Sequence, residues 1–326
     1  MVAARSIRRL AAQVGQDVPG RRLIAALAGA GYHSVEMAIL TAPWLRRVAL
    51  PLRAANPNLY RELNRVRKRV LARGRDLDGY QSVAFDRFRK RVRLKGRSVL
   101  EIGSDPEMRL LRQFTKAGAE RCCGLNNDPE LFSGRAELSA DGLRLLYGEA
   151  AALPFEDQSF DAIFSVATFE HILGLPQALR EMHRVLRPGG IVYSNFGPIW
   201  SSCKGHHVRA RAGQERAWHA DPKLNPLPDF CHLLMQPDEL RAALRGRVSA
   251  ALEEPIVDWV YSSDGINRLF YSDYVREFES SPLRVESLLP ERDPVSLQLL
   301  RILKFRYPHE EAFDITNVEA VLVRDP

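Results

Sequence analysis

Apolar residues in the second third of the chain gather into short β-type runs, separated by turn residues and by segments with helical period. The first run is SVLEIGSD, Ser98–Asp105, in which Val99, Leu100 and Ile102 predict a buried strand running into a turn at Gly103. A helix-period segment, MRLLRQFTKAGA, follows it. The alternation then recurs four times: CCGL ending at Asn126, LLYGEAAALPFED, SFDAIFSVATFEHI and EMHRVLRPGGIVYSNFGP. Strand, turn and helix in regular succession predict an α/β domain with a mostly parallel sheet and crossover helices. A glycine straight after the first strand lets backbone approach a ligand, and the next helix start offers unpaired N–H groups.

The pattern changes on either side of this half. Residues 1–95 lack strand alternation; Ile7, Leu10, Ala11 and Val14 fall at helical spacing, as do Leu45, Val48 and Ala49, with Pro19, Pro43, Pro51 and Pro57 between segments. This predicts a helical N-terminal region that covers a substrate cleft as a lid, or that touches a membrane surface through Trp44, Leu45, Arg46 and Arg47. Residues 96–326 read as one domain in which 201–280 form an insertion after the fifth strand. Within that insertion 201–237 is irregular, PDELRAALRGRV is helix-like, and INRLFYSDYVREF is a helix or loop on the same cleft. LRVESLLPE and VEAVLVRD have strand character and flank the helix-like PVSLQLLRILKFRY. No run approaches 18 apolar residues, so no transmembrane helix is expected. LIAALAGA after Arg21-Arg22 has a leader too long and an apolar core too weak for a signal peptide.

Charge adds an asymmetry to this picture. Residues 1–98 carry 22 Lys+Arg against 6 Asp+Glu, a net of +16, while the remainder is acidic and the whole chain is +7. Dense positive charge at Arg65–Arg69 and Arg87–Arg97 fits an anionic partner or solvated Arg-rich helix faces. Four cysteines are too few for a disulfide framework and suit a reducing cytoplasm. Cys203, His206, Cys231 and His232 lack the spacing of a structural zinc motif, so no metal is expected.

Taken as an ordered set, ALPFEDQSFD, the following strand, FEHI and RVLRPGG resemble the class I S-adenosyl-L-methionine (SAM)-dependent methyltransferases, in particular the small-molecule type related to ubiquinone-biosynthesis methyltransferases. The resemblance implies a Rossmann-like, seven-stranded, mostly parallel sheet with helices on both faces and an antiparallel last strand. It assigns Glu101, Gly103, Ser104 and Asp105 to the methionine end of SAM, although Asp105 and Glu107 stand where the family has glycines. Asn126, with Asn127 beside it, takes the place of the acid that accepts the ribose hydroxyls. Glu149 and Ala150 match the segment that meets the adenine amino group, and Ser165 and Val166 match the strand edge facing the amino-acid portion.

Methyl transfer from a sulfonium needs alignment and, for a hydroxyl acceptor, removal of a proton. His206 and His207 on the loop after the fifth strand, and His171 after the fourth, are the candidate bases. Trp200, Asn267, Arg268 and Tyr271 are candidate substrate contacts. The expected activity is methylation of a small-molecule or glycan-type acceptor, with oxygen favoured. An RNA methyltransferase using the basic N-terminal region is the alternative within the enzymes. A non-catalytic scaffold with a degenerate SAM site is the alternative outside them.

Overall fold

The apolar runs form strands β1 (Ser98–Ile102), β2 (Arg121–Asn126), β4 (Leu143–Tyr147), β5 (Phe160–Val166) and β6 (Leu186–Phe196), all parallel to one another. Strand β3 (Glu137–Ala140) pairs antiparallel with β4 at one end of the sheet. At the other end β10 (Ile315–Val323) runs antiparallel between β6 and β9 (Arg284–Arg292). The order is β3, β4, β2, β1, β5, β6, β10, β9.

The computed structural model describes residues 77–326. Features expected on 1–76, including the helical segments, the Trp44 membrane contact and the Arg65–Arg69 run, lie outside the described residues. Contacts divide the chain into two units, Met1–Arg87 and Phe88–Pro326. Of the first, residues 77–87 are described; they hold most of helix α1 (Gly79–Arg89), at whose start the Asp78 N–H donates to Gln81 Oε1 at 3.1 Å. Everything below concerns the second unit. No helix among the described residues is long and apolar enough to cross a membrane.

The eight-stranded sheet has one strand more than the resemblance implies. The addition is β3, whose ELSA residues are half-buried or exposed and therefore carry no apolar alternation to mark them. It reaches β4 through Asp141 and Gly142, at φ 55° and 77°.

Both faces of the sheet are covered. On one, Leu100, Ile102, Ile163, Val192 and Leu322 bury against α4 (Leu175–Val185) and α8 (Tyr271–Glu279) through Leu179, Met182, Tyr274 and Phe278. On the other, the Phe164 and Tyr193 rings stack at 5.6 Å, and Phe88 of α1 and Phe114 of α2 (Arg109–Lys116) meet the Phe164 ring edge-on. Burial of side chains this size contributes about 2 kcal/mol or more each.

Insertion 201–280 builds its own small core. Hairpin β7 (Arg209–Ala212) and β8 (Glu215–Trp218) packs with α6 (Pro237–Leu244) and α7 (Ala250–Tyr261) through Val208, Ala210, Leu240, Ile256 and Val260. The short helix α5 (Cys231–Leu234) joins a second cluster with Trp200, Phe230, Phe270 and Leu303 of α9 (Leu297–Arg306).

Candidate active site

The carboxyl ends of β1, β2, β4, β5 and β6 meet at one edge, the position where open α/β sheets take ligands. At the end of β1, Gly103 adopts φ +85°, and a Cβ built there would lie 2.0 Å from Thr168 Oγ1. Glycine is thus required twice, by the left-handed backbone and by the close approach of the loop after β5. Glu101 is buried, and its Oε2 accepts from Ser104 Oγ at 2.8 Å. Burial pushes its carboxyl up to about 8, with Ser104 and Arg109 opposing and Asp105 assisting. Gly124 on β2 leaves room for Ser104, whose Cβ would be 2.8 Å from any Cβ there.

The two departures from the family glycines are accommodated. Asp105 is absent from the residues at positive φ, so the turn does not need glycine at that position. Its carboxylate accepts from the Arg109 N–H at 3.2 Å and pairs with Arg109 Nε at 3.3 Å, which neutralises it at the start of α2. Glu107 is exposed.

At the end of β2 the Asn126 amide joins two turns. Its Nδ2 donates to the Ser104 carbonyl at 2.9 Å, and its Oδ1 accepts from the Asp128 N–H at 2.8 Å. A carboxylate could not make the first bond, so asparagine here follows from local structure. One Oδ1 lone pair is left for a hydroxyl. Asn127 is exposed and donates from Nδ2 to both Glu149 oxygens at 3.1 Å, which aims the exposed Glu149 carboxylate over the rim of β4. Ala150 is buried beneath.

At the end of β5, Ser165 and Val166 are buried; Ser165 Oγ donates to the Ile102 carbonyl at 3.1 Å and the Val166 carbonyl accepts from Thr168 Oγ1 at 3.0 Å. The exposed residue at this edge is Ala167, at φ 51°. A 3-10 turn, Phe169–His171, then places Glu170 inside and His171 outside. Glu170 Oε1 accepts from the Gly197 N–H at 3.0 Å and lies 4.0 Å from His207 Nε2; Glu170 Oε2 and His207 Nδ1 are buried without a partner. His171 Nδ1 lies 2.5 Å from the Gly265 carbonyl, and its ring is 5.0 Å from that of His207. Burial raises the Glu170 carboxyl and lowers His207 well below the usual imidazole range, with His219 and His171 adding to the latter.

The adjacent pair His206 and His207 is divided between two surroundings. His206 Nδ1 accepts from the Val208 N–H at 3.1 Å, and its ring neighbours His232 at 5.7 Å, away from the Glu170 carboxylate that His207 approaches. Trp200 is buried with its ring 4.5 Å from His232, and the Arg268 guanidinium lies over it at 5.4 Å. Asn267 spends its side chain on the fold: Nδ2 donates to the Phe169 and Ile172 carbonyls, and Oδ1 accepts from Tyr274 Oη and the Leu269 N–H. Tyr271 is half-buried against the main core. The structure therefore gathers Gly103, Asp105, Asn126, Asn127, Glu149, His171 and His207 on the sheet edge or its loops. Ser104, Ala150, Ser165, Val166, Trp200, His206 and Asn267 support that edge from beneath or behind.

Glu170 and His219 stand beside the candidate residue His207, and the sequence pattern does not single them out. Glu170 sits next to a candidate histidine in FEHI, which was the available signal. His219 follows β8, and its ring lies 4.2 Å from His207.

Residues 100–194 match the family described as "Methyltransferase domain". Curated relatives include malonyl-[acyl-carrier protein] O-methyltransferase 1 of Coxiella burnetii, 47% identical over 64 residues, covering 19% of this chain and 23% of that protein. Demethylmenaquinone methyltransferase of Roseiflexus castenholzii is 34% identical over 124 residues, covering 36% of this chain and 52% of that protein. The chain thus spans about half or less of the length of these relatives. Among solved structures, a SAM-dependent methyltransferase from Mesorhizobium loti aligns over 73% of this chain and 96% of its own, at 14% identity and a TM-score of 0.44. It is through residues 100–194, set on the parallel sheet, that this chain is similar to methyltransferases.

Proposed function

We propose that the protein is a methyltransferase that uses SAM to methylate an oxygen of a small-molecule or glycan-type acceptor, in the cytoplasm, where its four cysteines remain free. The observation that carries this reading is the continuity of one sheet edge. A glycine turn and an oriented Asn127 and Glu149 pair lie at one part of it, and Glu170, His171 and His207 lie beyond β5. The donor chemistry fits SAM. Glu149 accepts from the adenine amino group, Asn126 offers one acceptor to a ribose hydroxyl, and Glu101, ionised beside the ligand, supplies negative charge for the ammonium group.

SAM supplies, when bound, a methyl group on a positively charged sulfur that is already a good leaving group. The chain's own task is alignment, in which correct placement of the two reacting atoms removes several kcal/mol of barrier. The Gly103 turn and Thr168 fix the floor of the cofactor side. Glu170, His171 and His207 receive the acceptor oxygen on the other. Both curated relatives named above are methyltransferases, one by its name acting on oxygen, which supports the same reading.

Calorimetric titration with SAM and with its demethylated product tests the cofactor side. Micromolar binding is expected for the native chain. Glu149→Ala should weaken it about tenfold to a hundredfold, the cost of one or two charge-assisted hydrogen bonds. Absence of binding by either ligand would reject the reading in favour of a scaffold.

A further inference from the structure

We propose that Glu170, His171 and His207 form a binding site for a divalent transition-metal ion, which in turn receives the acceptor's hydroxyl oxygen. Each of the three offers one ligand atom, and these atoms all lie within 4.8 Å of one another. Ligands about 2.1 Å from a shared ion stand roughly 3–4 Å apart, so closure of the widest pair by about 1–2 Å completes the set.

The groups are held as ligands are held. The Gly197 N–H fixes Glu170 through Oε1, leaving Oε2 buried with no protein partner. His171 Nδ1 is engaged at the Gly265 carbonyl, which orients the ring and leaves Nε2 as its lone-pair nitrogen. His207 and Glu170 have side chains 4% and 1% exposed, yet their nearest approach is 4.0 Å, too long for a hydrogen bond. Glu170 Oε2 and His207 Nδ1, both buried and without a partner, are costly unless something satisfies them. Of the other histidines of the insertion, His206 has Nδ1 taken by the Val208 N–H and His232 has Nε2 2.7 Å from the Trp200 carbonyl, while the His219 ring lies 4.2 Å from that of His207.

Two imidazoles and one carboxylate select Zn2+, Co2+, Mn2+ or Fe2+ over Mg2+ and Ca2+, which favour all-oxygen cages. Three protein ligands leave coordination positions open, as in catalytic sites. An acceptor hydroxyl entering such a position loses its proton to solvent near neutral pH. The C–O bond then forms as the methyl–sulfur bond breaks, with its electron pair left on sulfur. The acceptor role rests on the methyl-transfer reading, whereas ion binding stands on the three side chains alone.

The test uses the full chain, stripped with a chelator and titrated with Co2+, whose visible absorption reports nitrogen and oxygen ligation. One equivalent is expected, displaced by Zn2+. His171→Ala removes an exposed side chain, and Glu170→Gln keeps an acceptor for the Gly197 N–H; each should weaken Co2+ binding at least a hundredfold. SAM affinity, titrated in parallel, should stay within about threefold of the native value in His171→Ala. No saturable Co2+ binding below millimolar, or equal binding in the native chain and both variants, overturns the site. Intact Co2+ binding in a chain that fails to bind SAM overturns the acceptor role and leaves the ion site standing.

Discussion

Replacing Gly103 with alanine should lower SAM affinity at least a hundredfold and destabilise the fold by about 2–4 kcal/mol. Two costs combine. An L-residue at φ +85° carries about 1–2 kcal/mol of backbone strain. The added methyl group would also stand 2.0 Å from Thr168 Oγ1 and 2.9 Å from its Cγ2. Thr168 cannot retreat without giving up its bond to the Val166 carbonyl at 3.0 Å, and with it the end of β5. Denaturant unfolding and calorimetric titration of Gly103→Ala measure both effects. Thr168→Ala in the same background separates them, because it relieves the collision and leaves the backbone strain. Partial recovery of stability is the expected outcome. A single variant that binds SAM within threefold of the native chain would show that this turn does not form the cofactor floor.

The requirement at Gly103 was legible because it is local: an apolar run that stops at glycine before a helix-period segment has few other structures available. The signature that carried the family resemblance has an equally physical origin. Arg184 of RVLRPGG donates to the Leu153 and Phe155 carbonyls and pairs with Asp157, so it clasps ALPFED, while Glu181 accepts from the Leu153 N–H. In this chain those residues form one clamp. Strand β3 escaped notice since neither face of ELSA is apolar enough to set a period. Asn126 looked like a weakened ribose contact, but the amide is demanded by the Ser104 carbonyl, a partner that only the folded chain brings near. Likewise His206 and His207 are equivalent in sequence and distinct in space. The left-handed backbone at His207, φ 45°, turns the chain between them, and Glu170 acquires significance only when His207 arrives beside it.

Glu101→Gln should make the protein more stable than the native chain, by a margin that grows with pH. The native carboxyl, at about 4.5 when unfolded, is pushed up to about 8 by burial between β2 and β5. Between these values the folded state keeps a proton that the unfolded chain has released, so native stability falls as pH rises from about 4.5 to about 8 and levels off above that. Ser104, Asp105 and Arg109 are the groups around it, together with Cys122, whose thiol burial pushes up to about 11. None of the three with resolved influence on Glu101 reverses the effect of burial. Glutamine reproduces the protonated form, still accepts from Ser104 Oγ, and cannot ionise. The variant's advantage should be small at pH 5 and on the order of 3–5 kcal/mol at pH 8 and above, at about 1.4 kcal/mol per pH unit. Urea unfolding of both proteins at pH 5, 7 and 9 checks this, and parallel pH profiles would refute it. The same carboxyl serves the proposed ligand in the opposite sense. An ammonium group beside Glu101 favours its ionised form, so SAM binding at pH 7 should release close to one proton, seen as a dependence of the binding heat on the buffer's ionisation enthalpy. In Glu101→Gln that release should vanish and SAM affinity should fall, even though the fold has gained stability. Stability and ligand affinity that move in opposite directions on one substitution mark a residue kept for binding, and a variant that gains both would remove Glu101 from the cofactor site.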